Sequence, residues 1–472
     1  MRQEYNVNIT QGKGRSLNAN AAENLNCYVE QTSDGRQTIV GRPGHSLKFV
    51  LPNAPVRGCY SDTGTSYWVA GNGVYKVLPD FTVQHLGNIG TYNGKVKFAS
   101  SGIDLMIVDG VSGWSISISS SVLTQITDPD FPNNPVSVVF INNYFVVTVK
   151  GLQQFFVSQE LNIATAWNGL DFATAEGNPD AIMAAEILSG ELVLMGYKTT
   201  ELWSFTGNSD FPFQRNSNVV IDQGCIAANS PGKALDSIYW LGGDDIGQGI
   251  VWRLNGYQPE RVSTHEIEQK IASMPYIEDA FSVVYQIEGH VFYILQFPSG
   301  NTTLAYDTVT GLWHTLSYRD PITGESDIWR VSCHCFSGSR HLVGDTQNGN
   351  VYDIRTDVYT DNGAPIIMQV TGTANKFEQK ELFYTEFIID METGVGINAN
   401  EPPLIGLQWS NDGGHTYGNW RYTSIGSIGQ YGARAYFSML GKGRNRVWRI
   451  RITEPVKRVL LGTVINAQAG IS

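Results

Sequence analysis

Charge is scarce in this chain. Asp, Glu, Lys and Arg make up 16% of its 472 residues, against roughly 25% in an average soluble protein. Acidic residues outnumber basic ones, and the formal net charge is −12. That balance argues against tight wrapping of DNA, which needs many phosphate-neutralising Lys and Arg side chains. It leaves room for DNA passing nearby, because a conduit that lets DNA slide should repel rather than grip it. Cysteine is sparse too. Five scattered residues, an odd number, form no disulfide framework and read as reduced thiols of a protein assembled in a cytosol. No apolar run approaches the roughly 18–20 residues that span a bilayer, so no membrane insertion is expected. The opening MRQEYNVNIT lacks the basic-then-apolar pattern of an export signal. No phosphate-binding loop or dinucleotide fingerprint is present.

Glycine and aromatic residues are abundant, with 50 glycines and 11% aromatics. Residues 281–316 set the pattern. FSVVYQI, HVFYILQF, NTTLAYD and LWHTL are rich in β-branched and aromatic residues and are separated by Glu-Gly, Pro-Ser-Gly and Thr-Gly turns. Four short antiparallel strands in a row make one propeller blade, whose two faces need further blades to cover them. The pattern recurs from about residue 56. Second strands of successive units begin near Tyr67, Asp104, Tyr144, Glu191, Ile238, His290 and His341, at spacings expected of propeller blades. The count is seven, with six possible because the last unit has a weak fourth strand. In the fourth unit NSNVVI, beyond a Phe/Pro-containing loop, is taken as the last strand.

The fold class is therefore all-β. An extended N-terminal arm with short strands (1–55) precedes a propeller (56–360), and a C-terminal antiparallel, sandwich-like β domain (361–472) follows. The C-terminal runs LFYTEFIIDMET, RVWRIRIT and KRVLLGTVINAQ alternate apolar and polar residues, as half-exposed strands do. The arm has too little apolar sequence for its own core. It either pairs with the C-terminal domain or closes the ring by lending a strand to the last blade. One helix is expected between units five and six, with Ser263 and Glu266 as a capping box and Ile267, Ile271 and Met274 on one face.

Few residues invite chemistry. Ser410, Asp412, Gly414, Thr416 and Tyr417 fit the Asp-box pattern S-x-D-x-G-x-T-aromatic, in which short polar side chains satisfy a tight hairpin and glycine takes unusual dihedrals. Sialidase propellers carry such boxes, but as structural turns and in several copies. Cys333-His334-Cys335 on a strand would send both thiols to one face and the imidazole to the other, so the three cannot converge on one metal ion; buried thiols beside a surface histidine is the simpler reading. Asp244-Asp245 reads as a hairpin tip rather than a cation site. Residues 441–458 carry seven basic side chains against Glu454, a local charge of +6. Arg444, Arg446, Arg449 and Arg451 form a basic stripe, with Arg449 and Arg451 alternating with apolar neighbours on one strand face. It is a solvated face, an interface to an acidic neighbouring subunit, or a nucleic-acid contact. No catalytic, cofactor-binding or metal-binding residues can be assigned, and no enzyme is expected.

The arm ending near Arg42-Pro43-Gly44, the blades, STHEIE before a short helix, GHVFYILQFP, YDTVTGLWHTL, SNDGGHTYG and RVWRIRIT together resemble the tail-hub, or nozzle, proteins of short-tailed phages (podoviruses), the packaged DNA stabilisation family. The resemblance implies a structural virion protein, assembled in the host cytoplasm into a homohexameric ring below the portal and its adaptor ring. It also implies contacts with tailspikes or fibres and with a tail needle or plug. Double-stranded DNA would be retained by such a ring and later pass through it during ejection, without specific binding. The alternatives are a glycan-binding or glycan-cleaving propeller and a soluble scaffold with no viral role.

Overall fold

The computed structural model describes residues 2–5, 7, 14, 16–17, 20–31, 35–175, 180–208, 210–219, 221–243, 249–376, 380–395 and 401–470. Seven four-stranded antiparallel blades follow one another around a ring. Blade 1 consists of Val56–Asp62, Thr65–Ala70, Gly73–Val77 and Val83–Asn88. Blades 2 to 6 occupy residues 97–125, 135–174, 182–215, 232–261 and 281–316 in the same way. Second strands start at Thr65, Asp104, Tyr144, Glu191, Ser237, His290 and Arg340, within two residues of their expected positions. Flanking blades cover both faces of each sheet, so the second strands are nearly continuous apolar runs; every residue of Asp104–Val108 and of His290–Phe297 is buried.

Blade 7 closes the ring with a strand from far away. Val331–Ser337, Arg340–Asp345 and Asn350–Arg355 are joined on the outside by Gly44–Val50, antiparallel to Asn350–Arg355. The weak fourth strand of the last unit is thus supplied by the arm. Blade 4 also departs from expectation. Its outer strand is Phe213–Arg215 rather than NSNVVI. The aromatic loop itself makes the strand because Phe213 pairs with Phe205 at 5.7 Å between ring centroids and joins a cluster with Phe211, Phe155 and Trp203. Ile221, from NSNVVI, makes only a bridge to Thr200.

The helix α1 (His265–Ala272) lies between blades 5 and 6. Its cap position belongs to Thr264, so the expected Ser263–Glu266 box does not form. Ser263 instead donates to Glu268 at 2.7 Å and accepts the Val251 amide. Ile267 and Ile271 are buried against blades 5 and 6. Ile271 lies where a Cβ on Gly249 would come within 2.7 Å.

The C-terminal sandwich packs one sheet built on Leu382–Met391 and Val459–Ala469 against another built on Met368–Thr371, Val447–Ile452 and Leu404–Ser410. Trp448 is its centre, with Phe387, Tyr384 and Trp409 rings 4.8–5.7 Å away. The arm serves both of the partners considered for it. Arg2–Glu4, Cys27–Gln31 and Gln37–Gly41 extend the first sheet, while Gly44–Val50 enters blade 7. Between them, Glu23–Leu25 pairs with Met368–Thr371 on one side and, through Leu25 and Thr315, with the outer strand of blade 6 on the other. Blade 6 and the second sandwich sheet therefore form one nine-stranded sheet.

Candidate functional site

The Asp box sits on the hairpin after Leu404–Ser410. Ser410 Oγ donates to Asp412 at 2.5 Å and accepts the Gly414 amide at 2.8 Å. Asp412 also accepts the His415 and Thr416 amides and the Thr416 hydroxyl. Hydrogen bonds from Ser410, from the Thr416 side chain and from these amides hold the Asp412 carboxyl well below the usual carboxylate range. Gly413 and Gly414 have φ of 77° and 104°, a region that suits glycine. With its acceptors engaged locally, the carboxylate shapes the turn. Gly414 faces the arm, where a Cβ would lie 3.0 Å from that of Ala21.

Tyr417, the last residue of the box, carries the first arginine of the stripe. The Arg449 guanidinium lies 3.5 Å from the Tyr417 ring centroid, and that of Arg451 lies 4.3 Å from the Trp420 ring. Alternation on Val447–Ile452 puts both arginines on one half-buried face. Arg449 donates to Thr371 Oγ1, and Arg451 donates to Gln369 Oε1 at 2.9 and 3.2 Å. Only Arg444 is freely exposed. Arg446 does not belong to the surface stripe. It is 1% exposed, donates to Asn411 Oδ1 and to the Leu440 and Lys442 carbonyls at 2.7–2.8 Å, and stacks near Tyr384. It precedes the strand, so strand alternation does not govern its direction; burial pushes its pKa down to about 10.

Sequence reasoning missed a heavily bonded buried ion pair, which lies where arm, propeller and sandwich meet. Arg42, 2% exposed, donates to both oxygens of Asp361 at 2.8 and 2.5 Å, to Asn26 Oδ1 at 2.9 Å and to the Ser317 carbonyl. Asn26 itself donates to Ser317 of blade 6 and to the Ile367 carbonyl of the sandwich side. His45 Nδ1 stands 3.2 Å from Asp361, and Arg458 donates to the Ile366 carbonyl. Burial alone would raise the Asp361 pKa, but Arg42 and His45 outweigh it and the carboxyl is held low. Burial lowers the His45 pKa despite the nearby carboxylate. The visible signal was small: one arginine inside the short, otherwise uncharged run IVGRPG.

Cys333 and Cys335 do point together, into a cluster with Cys59 at the seam of blades 7 and 1. His334, however, is not a surface residue. It is half-buried, 3.1 Å from His341, and burial pushes its pKa down to about 3. Asp244 and Asp245 lie outside the described residues. Among the described residues no group of three His, Cys, Asp or Glu side chains could hold a metal ion, and no helix is long and apolar enough to cross a membrane.

Residues 8–359 match the family model described as "Bacteriophage P22 Gp10, beta-propeller", and residues 368–468 match the one described as "Bacteriophage P22 Gp10, beta-sandwich". A search of curated proteins gives no match. Among solved structures, the chain is similar to the WD40 β-propeller domain of Doa1, with 10% identity and a TM-score of 0.41 over 66% of this chain and 96% of that one. The N-terminal domain of Nup159 gives 8% identity and a TM-score of 0.42 over 71% and 98% of the two chains.

Proposed function

The chain belongs to the bacteriophage P22 Gp10 family and is a phage tail structural protein; on that premise we propose that it is a wall segment of a ring below the portal. The ring, hexameric by family resemblance, keeps packaged DNA in the head, carries tailspikes or fibres and conducts the genome during ejection. Its neighbours are the portal adaptor ring above, the spikes or fibres at its side and the tail needle or plug below. One observation carries the reading: the arm makes propeller and sandwich mechanically continuous, through the nine-stranded sheet and the strand that closes blade 7. A segment confining pressurised DNA has to transmit force between its parts without hinging, and main-chain ladders fixed by a buried ion pair do that better than a short linker. Exposed Arg444, with the outer edges of Arg449 and Arg451, is the proposed contact with the next subunit. The excess of acidic residues fits neighbours that present carboxylates to it and a bore that repels DNA.

The test is electron microscopy of particles assembled by the encoding phage after deletion of this gene. Heads that fill with DNA, lose it and lack the distal tail are the expected result. Full, normally tailed particles would contradict the proposal.

A further inference from the structure

The propeller axis holds a second charged group, remote from the arginine face. A cavity of about 330 Å³ is lined by innermost strands of five blades and the segments just before two of them, and Lys95, Lys97 and Lys233 open onto it. Lys95 and Lys97 come from blade 2 and Lys233 from blade 5. Arg57 also lines the cavity, but its guanidinium is fully engaged with the Gly71, Thr91, Asn93 and Gly94 carbonyls and the Thr91 hydroxyl. Lys95 donates to the Ser332 carbonyl at 2.5 Å and sits 3.5 Å from the Phe281 ring centroid. Among the described residues, Lys97 and Lys233 have no hydrogen-bond or ion-pair partner. Glu186, on the innermost strand of blade 4, feels both Lys97 and Lys233, yet burial outweighs them and disfavours its charged form. Three lysines, Lys233 exposed and Lys95 and Lys97 half-buried, thus share a cavity whose lining holds no carboxylate among the described residues, in a chain whose net charge is −12.

Ammonium groups gathered on one cavity repel one another, and an oxyanion with several oxygens offsets that repulsion and accepts charge-assisted hydrogen bonds from them. The walls take a small ligand and no nucleic-acid duplex. We propose that the propeller axis is a binding site for a small multivalent oxyanion of the class of inorganic phosphate, held between Lys97 and Lys233 with Lys95 at its edge. The site is independent of the ring and of the arginine face.

The experiment is calorimetric titration of the full chain with inorganic phosphate at constant ionic strength, with sodium chloride as the matched control. Saturable binding is expected, weakened at least tenfold in the Lys97→Met/Lys233→Met double variant. The surface pair Lys442→Met/Lys457→Met should leave it unchanged. Glu186→Gln removes the competing carboxylate and should tighten binding severalfold, which keeps the test decisive even if the double variant misfolds. Absence of saturable binding, equal affinity in the lysine double variant, or no tightening in Glu186→Gln would each overturn the proposal.

Discussion

Replacing Arg42 by Met asks how much the buried junction contributes. The substitution keeps most of the side-chain volume but removes both hydrogen bonds to Asp361 and those to Asn26 and Ser317. What remains is a carboxylate whose side chain is 0% exposed, with His45 beside it and the Arg458 charge farther off. Removing one partner of a buried ion pair costs about 3–5 kcal/mol, because the remaining charge is neither hydrated nor paired. Replacing both partners with apolar residues, as in Arg42→Met/Asp361→Leu, should recover most of that loss. The single variant should also acquire a pH dependence. In the parent, burial lowers the His45 pKa, Asp361 works against that and Arg42 lowers it further. With Arg42 gone, its folded pKa rises toward or above the unfolded value as protonated His45 pairs with Asp361. That stabilisation is present below the unfolded pKa of about 6.5 and is lost as pH rises through the folded one. Urea unfolding followed by tryptophan fluorescence at pH 5.5 and 8 reads all three effects, with the single variant closer to the parent at the lower pH. A loss within about 1 kcal/mol for the single variant, or a double variant no better than the single, would refute the reasoning.

Gly44→Ala places a Cβ 2.4 Å from the Thr360 carbonyl oxygen and 2.7 Å from that of Val358; backbone cannot give way as a side chain can, so a loss of about 3 kcal/mol is expected, read as a lowered urea midpoint with faster amide exchange in blade 7. Arg446→Met strands the acceptors on Asn411, Leu440 and Lys442 and should destabilise the sandwich by about 1–3 kcal/mol or more, whereas loss of a solvated stripe residue would be nearly neutral; thermal unfolding distinguishes the two. The His290 pKa is raised, chiefly by its hydrogen bond to Asp307, so this pair stabilises the fold below the unfolded histidine pKa and ceases to as pH rises through the folded value; an NMR titration should find His290 above about 6.5. Arg449→Glu/Arg451→Glu should abolish ring assembly, seen by mass photometry, while the circular dichroism of the subunit persists; unchanged assembly would remove the stripe as an interface.

Blades could be read from the chain because a blade is local. Turn residues and two-residue alternation mark residues 281–316 without any knowledge of neighbours, and the Asp box is legible for the same reason, the side-chain hydrogen bonds of Ser410, Asp412 and Thr416 falling within Ser410–Thr416. Closure of the ring by the arm was legible only as one of two alternatives. Gly44–Val50 pairs with Asn350–Arg355 across some 300 residues, and strand pairing at that separation leaves no periodic trace in either segment. NSNVVI looked like a strand by β-propensity, yet aromatic packing around Phe213 decided the matter, as tertiary contacts override propensity. Arg446 was assigned to a surface by extending an alternation that begins only at Val447. Buried charges such as Arg42 and Arg458 are invisible in advance, because burial is a property of the assembled domains.

The most direct test of the central claim is a cryo-electron microscopy reconstruction of the phage tail. The account expects copies of this propeller-and-sandwich body, joined by the same arm, repeated around the DNA channel immediately below the portal adaptor. A tail whose wall at that level is built from a different fold, with this chain absent or present as a single peripheral copy, would contradict it.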